Sequence, residues 1–281
     1  MGVISLVIKA RAALVYSNRD LAGVGIAEHI KRILGFKEHG SYKDMVFYTY
    51  EDIVLAGFDE DVIYFEFLDN YLDVEYYIVL SRHSSKAKVK SLTVHHTGNP
   101  TSRADAGGRP KELAIAFPPM AKKLITLLDR YATEEGLRDE YDVTLEVTHH
   151  GPTSLRKPLV FIEIGSTPDE WRDEKARKVV AQVVIDAITS PLPECTPATG
   201  FGGGHYARKH TKVMLNTEYC LGHIFSKHVM DEISEDTILQ AFSKSVPPSK
   251  CVVIEKKGVK SLHRKLIRRL AEEHELCIVE V

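Results

Sequence analysis

The chain has 281 residues, 44% hydrophobic and 27% charged, a balance that excludes wholesale disorder at a length able to bury a full core. Its formal net charge of −2 excludes a blanket polyanion binder, though not a local basic patch. The longest apolar runs, such as 179–188, carry Gln182 and Asp186 and are too short to span a bilayer, and the N-terminus has no basic region or cleavage site.

In chain order, Val3–Ile8 and Ala12–Tyr16 read as strands. Ser17 is placed to cap a helix running to about Leu34, with Leu21, Val24, Ile26, Ile30 and Ile33 toward one side. Short β-rich runs follow at 46–50, 62–67 and 76–80, then 91–96. Pro118-Pro119 opens a helix carrying Met120, Leu124, Leu127, Leu128 and Tyr131. Residues 143–148 alternate as a half-buried strand, expected to pair with 159–165, and a hairpin over 151–158 would make the sheet mixed.

Thr167-Pro168-Asp169-Glu170 has the spacing of a reciprocal helix cap, with Trp171 to Ala187 as the helix behind it. From Ser190 to Gly204 the Pro- and Gly-rich stretch predicts a long loop, followed by strands near 211–216 and 251–255. A basic helix over about Ser261–His274 and a strand at Cys277–Val281 end the chain. Helices and strands alternate without a separating linker, which predicts one α/β domain over 1–281 with helices on both sheet faces.

Charge is uneven. Ten acidic residues and no Lys or Arg occupy 44–75, whereas seven Lys or Arg and no acid occupy 256–269. In the basic helix Leu262, Leu266, Ile267 and Leu270 form an apolar stripe, and Arg264 and Arg268 recur on another face suited to phosphates. Cys195, Cys220, Cys251 and Cys277 make no C-x-x-C pair, so four free thiols in a reducing cytoplasm are expected.

P-loop, zincin and nucleophile-elbow motifs are absent. Histidine is the informative residue: thirteen are present, and His83, His95, His96, His149, His150 and His205 fall at predicted strand ends or in loops. Neighbours on a strand point to opposite faces, so normally one of each His-His doublet reaches a shared centre. Glu163, inside the apolar run 159–164, is costly to bury unless paired, coordinated or solvated in a cleft. Glu146 shares its strand face with Thr144 and Thr148 and reads more readily as a wet sheet-edge carboxylate. Gly202-Gly203-Gly204, flanked by Phe201, His205, Tyr206 and Arg208, allows close backbone approach to an anion.

The runs Ser81-Arg82-His83-Ser84-Ser85, Leu92 to Asn99, Thr148-His149-His150-Gly151-Pro152-Thr153, Glu163 to Thr167, Gly202 to Ala207 and Gly222-His223-Ile224 resemble archaeal and plant D-aminoacyl-tRNA deacylases. The resemblance implies a cytoplasmic enzyme that hydrolyses the ester between a D-amino acid and the 3′ end of tRNA, with zinc (Zn2+) as the family's metal. It also implies a three-layer α/β/α fold with a mixed sheet, phosphorylase/hydrolase-like and similar to peptidyl-tRNA hydrolase.

Ester hydrolysis needs an attacking water, a base and stabilisation of an oxyanion. His83, His150, Glu163 and His205 are the candidate catalytic groups, and His95, His96 and His149 the candidate metal ligands. Arg82, Asn99, Arg208, Arg264 and Arg268 are candidates for contact with the nucleic acid, Gly202 to Gly204 for the oxyanion, and Phe201 and Tyr206 for stacking on the terminal adenine. Two other readings remain open: a zinc metallopeptidase or amidohydrolase on a related fold, and a non-catalytic tRNA-binding protein. No membrane association and no stable protein partner are implied.

Overall fold

A computed structural model describes residues 7–42 and 45–281. Most of the strand expected over 3–8 lies outside the described residues; Ile8–Lys9 is seen as a short strand beside Leu72–Asp73. The chain then forms β1 (Ala12–Ser17), α1 (Leu21–Leu34), β2 (Lys37–Tyr42), β3 (Met45–Tyr50), β4 (Ile53–Phe58), β5 (Tyr76–Ser84), β6 (Ser91–His95), α2 (Pro118–Glu134), β7 (Asp142–Leu145) and β8 (Leu159–Ser166). It continues through α3 (Pro168–Trp171), α4 (Glu174–Thr189), β9 (Thr196–Phe201), α5 (Arg208–Asn216), β10 (Tyr219–Phe225), α6 (Glu235–Ser243), β11 (Cys251–Ile254), α7 (Ser261–Glu273) and β12 (Cys277–Glu280).

Two sheets organise these elements. The larger has eight strands in the order β7-β6-β8-β5-β1-β4-β3-β2, and the smaller has four parallel strands in the order β10-β9-β11-β12. The large sheet is mixed, though not through a 151–158 hairpin, which is absent. It is mixed because β8 runs antiparallel to β6, and β2, β3 and β4 meander. Residues 159–166 do not pair with 142–145; β6 lies between them.

Alternation assigns the faces. Leu14, Ile78, Leu80, Val160 and Ile162 point to one side, where α1, α2 and α4 cover them. Val15, Tyr77, Val79 and Phe161 point to the other, against Val62, Phe65 and Leu68. Those last residues belong to a 3₁₀ segment, Val62–Asn70, where the sequence suggested a strand. In the small sheet Val253 joins the first core, while Val252 and Ile254 face α6 and α7.

Other boundaries shift for local reasons. The first helix is capped by Asp20, whose carboxylate accepts Ala22 N–H and Gly23 N–H, rather than by Ser17. The Thr167 cap is present, but Asp173 caps a new start and divides the expected long helix into α3 and α4. Residues 208–216 are helix rather than strand, and 196–201, inside the expected loop, are strand. The cysteines are not free thiols: Cys195, just before β9, is bonded to Cys220 of β10, and Cys251 of β11 to Cys277 of β12.

Candidate functional site

The site lies on the large-sheet face opposite the helices. In β8, Phe161, Glu163 and Gly165 share that face, level with His95, Thr93 and Ser91 of β6 and with Val79, Ser81 and His83 of β5. His95, Glu163 and His83 therefore form a diagonal row two residues apart. Gly165 makes this possible, because a Cβ there would lie 2.7 Å from the His83 Cβ. Glu146 arrives just past the end of β7, with His149 and His150 following; His150 holds a positive φ of 46°.

His205 comes from the small sheet. Val147 N–H donates to His205 O at 3.0 Å and Ala207 N–H to Leu145 O at 2.8 Å, so 205–207 pairs alongside the exposed edge of the large sheet. His83, His95, His149, His150 and His205 thus come together in one cluster. Ring centres lie 5.4 Å apart for His83 and His205, 4.7 Å for His149 and His205, and 4.3 Å for His149 and His150. A cavity of about 350 Å³ opens among His83, His149, His150, Glu163 and His205, with Arg82 and Asp61 on its wall.

Glu146 and Glu163 are buried carboxylates. Glu146 lies 3.0 Å from His83 Nδ1 and 2.9 Å from His205 Nε2; Glu163 lies 3.5 Å from His83 Nδ1 and 3.6 Å from His95 Nε2. Burial alone would push the His83 imidazolium down, but contact with Glu146 and Glu163 overrides it and raises the pKa to about 11. Glu163 is likewise held at about 2 against burial, by His95 and His83, and Glu146 falls well below the carboxylate range beside His205 and His83. Glu163 raises His95 against its own burial. His149 and His150 shift the other way: burial first, then neighbouring imidazoles, lower both, His150 to about 4.

A metal fits this donor set. His95, His149 and His150 each donate Nδ1–H to a backbone carbonyl, of His96, Val147 and Gly151 respectively, leaving Nε2 as the ligating nitrogen. These three imidazoles can converge on one ion, and so can His95 with Glu146 and Glu163. Both Glu146 carboxylate oxygens and His95 Nε2 are buried, and the partners they meet are ionisable side chains of this same cluster.

Several expected site residues stand elsewhere. His96 points away from the cluster: its Nδ1–H donates to Gly222 O at 3.0 Å and its Nε2 accepts Phe117 N–H at 3.0 Å, so neither nitrogen can ligate. Phe201 is a core ring packed on Phe225, because β9 continues through it, and it cannot stack on a base. Asn99 uses its amide to hold Gly107 O and Arg109 O. Gly202 N–H is taken by Phe225 O, whereas Gly203 and Gly204 N–H have no bonded partner among the described residues. Arg208 pairs with Asp142 on the surface, Arg268 with Glu280, and Arg264 donates to the carbonyls of Lys256 and Val259. Leu262, expected in the apolar stripe, is 74% exposed.

Arg82 does reach the site, steered by Asp61 at 3.0 Å and by the buried Asp20, whose carboxylate also accepts Arg82 N–H. Tyr206 meets the site through its hydroxyl, 3.1 Å from His83 Nε2. Glu146 was not among the expected catalytic residues. Its one sequence signal was an acid on a strand face otherwise built of threonines.

A family model described as D-aminoacyl-tRNA deacylase matches residues 70–279. Curated relatives named D-aminoacyl-tRNA deacylase include one from Staphylothermus marinus, 49% identical over 91% of this chain and 94% of that one. Another, from Desulfurococcus amylolyticus, is 48% identical over 94% and 98%, and one from Methanosarcina acetivorans is 35% identical over 96% and 92%. A solved structure of a conserved protein of unknown function, AF0625, superposes with a TM-score of 0.90 at 32% identity, covering 97% of this chain and 96% of that one.

Proposed function

The chain belongs to the D-aminoacyl-tRNA deacylase family, and we propose that the cavity walled by His83, His149, His150 and His205 is where it acts. The reaction is hydrolysis of the ester joining a D-amino acid to tRNA, releasing free amino acid and tRNA. The observation that carries the site assignment is the half-open His205 with Nε2 2.9 Å from the buried Glu146. A carboxylate in that position orients the ring toward the cavity, so His205 is placed to take a proton from the attacking water. His83, a cation at neutral pH, faces the cavity where negative charge develops on the ester oxygen. Its Nε2–H donates to the Tyr206 hydroxyl, which fixes the ring. Arg82 offers a cation for the ribose-phosphate side of the substrate.

Zinc is part of the proposal. His95, His149 and His150 would hold it, with Glu163 beside them. When bound, it supplies a Lewis acid. The fit rests on the three Nδ1–carbonyl bonds and on the convergence of the three remaining ring nitrogens. The proposal also includes a phosphorylase/hydrolase-like layering akin to peptidyl-tRNA hydrolase, supported by the mixed sheet, and a cytoplasmic location, supported by the substrate class. An amidohydrolase or peptidase reading draws no support from the named relatives.

The deciding experiment incubates purified protein, with and without chelator, with matched D- and L-aminoacyl-tRNAs. Hydrolysis confined to the D-ester and lost on chelation is the expected result. Activity indifferent to the chelator, with no zinc in the purified protein, overturns the metal assignment. Cleavage of amides with the esters untouched overturns the substrate.

A further inference from the structure

Three residues before His205, the glycine turn 202–204 borders a second cavity, of about 440 Å³, lined by Lys227, His228, Lys257, Lys260, His263 and one acid, Asp231. Lys227 N–H donates to Gly203 O at 2.9 Å. Gly258 packs so closely that a Cβ there would lie 2.8 Å from Gly203 N. The cavity and the catalytic histidine thus hang from opposite ends of one turn.

The charge in this cavity is unbalanced. Asp231 is engaged by Lys260 at 2.6 Å and by His263 at 3.3 Å. Lys227, Lys257 and His228 have no ion pair or side-chain hydrogen bond among the described residues, and His263 Nδ1 is buried without a partner. The N-terminus of α7 opens beside the same lining: Lys260 stands at the cap with no side-chain cap bond, and the first turn has no acid. Free helix N–H groups add to the positive field. Like charges are not gathered around a hollow without cost, and an anion relieves it.

We propose that this cavity seats the phosphodiester strand leading to the acylated 3′ end of the substrate. The inference rests on the deacylase reading and names the surface that supplies its tRNA affinity. An ester on the last ribose sits one sugar away from that nucleotide's 5′ phosphate. A strand lying along the glycine turn would bring its phosphates to Lys227 and Lys257 as the ester reaches His205.

The test compares Lys227→Ala/Lys257→Ala with the unaltered protein on D-aminoacyl-tRNA and on the same amino acid esterified to adenosine, which lacks phosphate. Expected for tRNA are a KM raised about tenfold, an unchanged kcat, and a salt slope reduced by about 1.4, the value for two single-strand phosphates. The adenosine ester should be hydrolysed at the original rate, and Lys227→Arg/Lys257→Arg should restore the tRNA KM. An unchanged KM and salt slope, or equal losses on both esters, overturns the proposal. Uncharged tRNA binding, measured separately, distinguishes the two readings. Equal Kd values overturn the cavity assignment, whereas weakened variant binding in a protein that hydrolyses no ester overturns the activity alone.

Discussion

His205 Nε2 lies 2.9 Å from a carboxylate oxygen of Glu146, and the two side chains differ sharply in exposure, 43% against 0%. The histidine meets solvent while the carboxylate that holds it is sealed inside. Removing either end should disable the same proton transfer. Glu146→Gln and His205→Ala are each expected to lower single-turnover hydrolysis about a hundredfold or more, and the double variant should fall little further. Losses that multiply in the double variant would show that the two act separately.

His96 should prove structural. With one ring nitrogen donating to Gly222 O and the other accepting from Phe117 N–H, His96→Ala strands two buried backbone groups and opens a cavity. A loss of about 2–4 kcal/mol in urea unfolding is expected, with metal content and kcat of the folded fraction unchanged. Loss of bound metal in a folded variant would return His96 to the ligand set.

Stability of the chelated protein should peak near neutrality. Burial above all lowers His96 to about 3 and His150, His210 and His223 to about 4, from an ordinary 6.5. These groups withdraw stability as pH falls from about 6.5, where the unfolded chain takes up protons first. His83, raised to about 11, stabilises fully below about 6.5 and loses that contribution as pH climbs. Glu163, held at about 2, contributes at every pH above about 4.5 and is lost as pH falls toward 2. Unfolding free energy should therefore be greatest near pH 6.5, with the steeper decline on the acid side. A steady rise from pH 5 to 9 would contradict these assignments.

The basic face of α7 should contribute little to tRNA affinity. Arg268 is matched by Glu280 at 2.6 Å and Arg269 by Glu235 at 2.6 Å. Arg268→Ala is expected to leave the KM for tRNA within about twofold, the scale of an exposed ion pair. A tenfold rise would restore the helix as a phosphate track.

Much of this site was legible because histidine doublets at strand ends are conspicuous and Glu163 sits in an otherwise apolar strand. Glu146 was not, since Thr144, Glu146 and Thr148 have the alternation of a wetted face. What buries them is distant chain that no local pattern announces: Thr211 of α5 against Thr144, residues 205–207 against Glu146, and His223 of β10 against Thr148. Phe201 misled because glycines surround it, yet the strand runs through it and the core takes the ring. Residues 211–216 misled because one helical turn of Val213, Met214 and Leu215 has the apolar density of a strand. The disulfides depend on register: Cys251 and Cys277 face one another only because β11 and β12 align them.

That 205–207 pairing ties chemistry to completion of the fold. The first 190 residues contain every strand of the large sheet, and with them His83, His95, His149, His150 and both carboxylates. They do not contain His205, which arrives only when the small sheet docks and closes the bare edge at β7. Until then that edge is an unpaired strand, open to another chain, and Glu146 has His83 beside it but not His205. A chain halted partway through assembly would hold most of the cluster and lack the one histidine that the small sheet delivers to it.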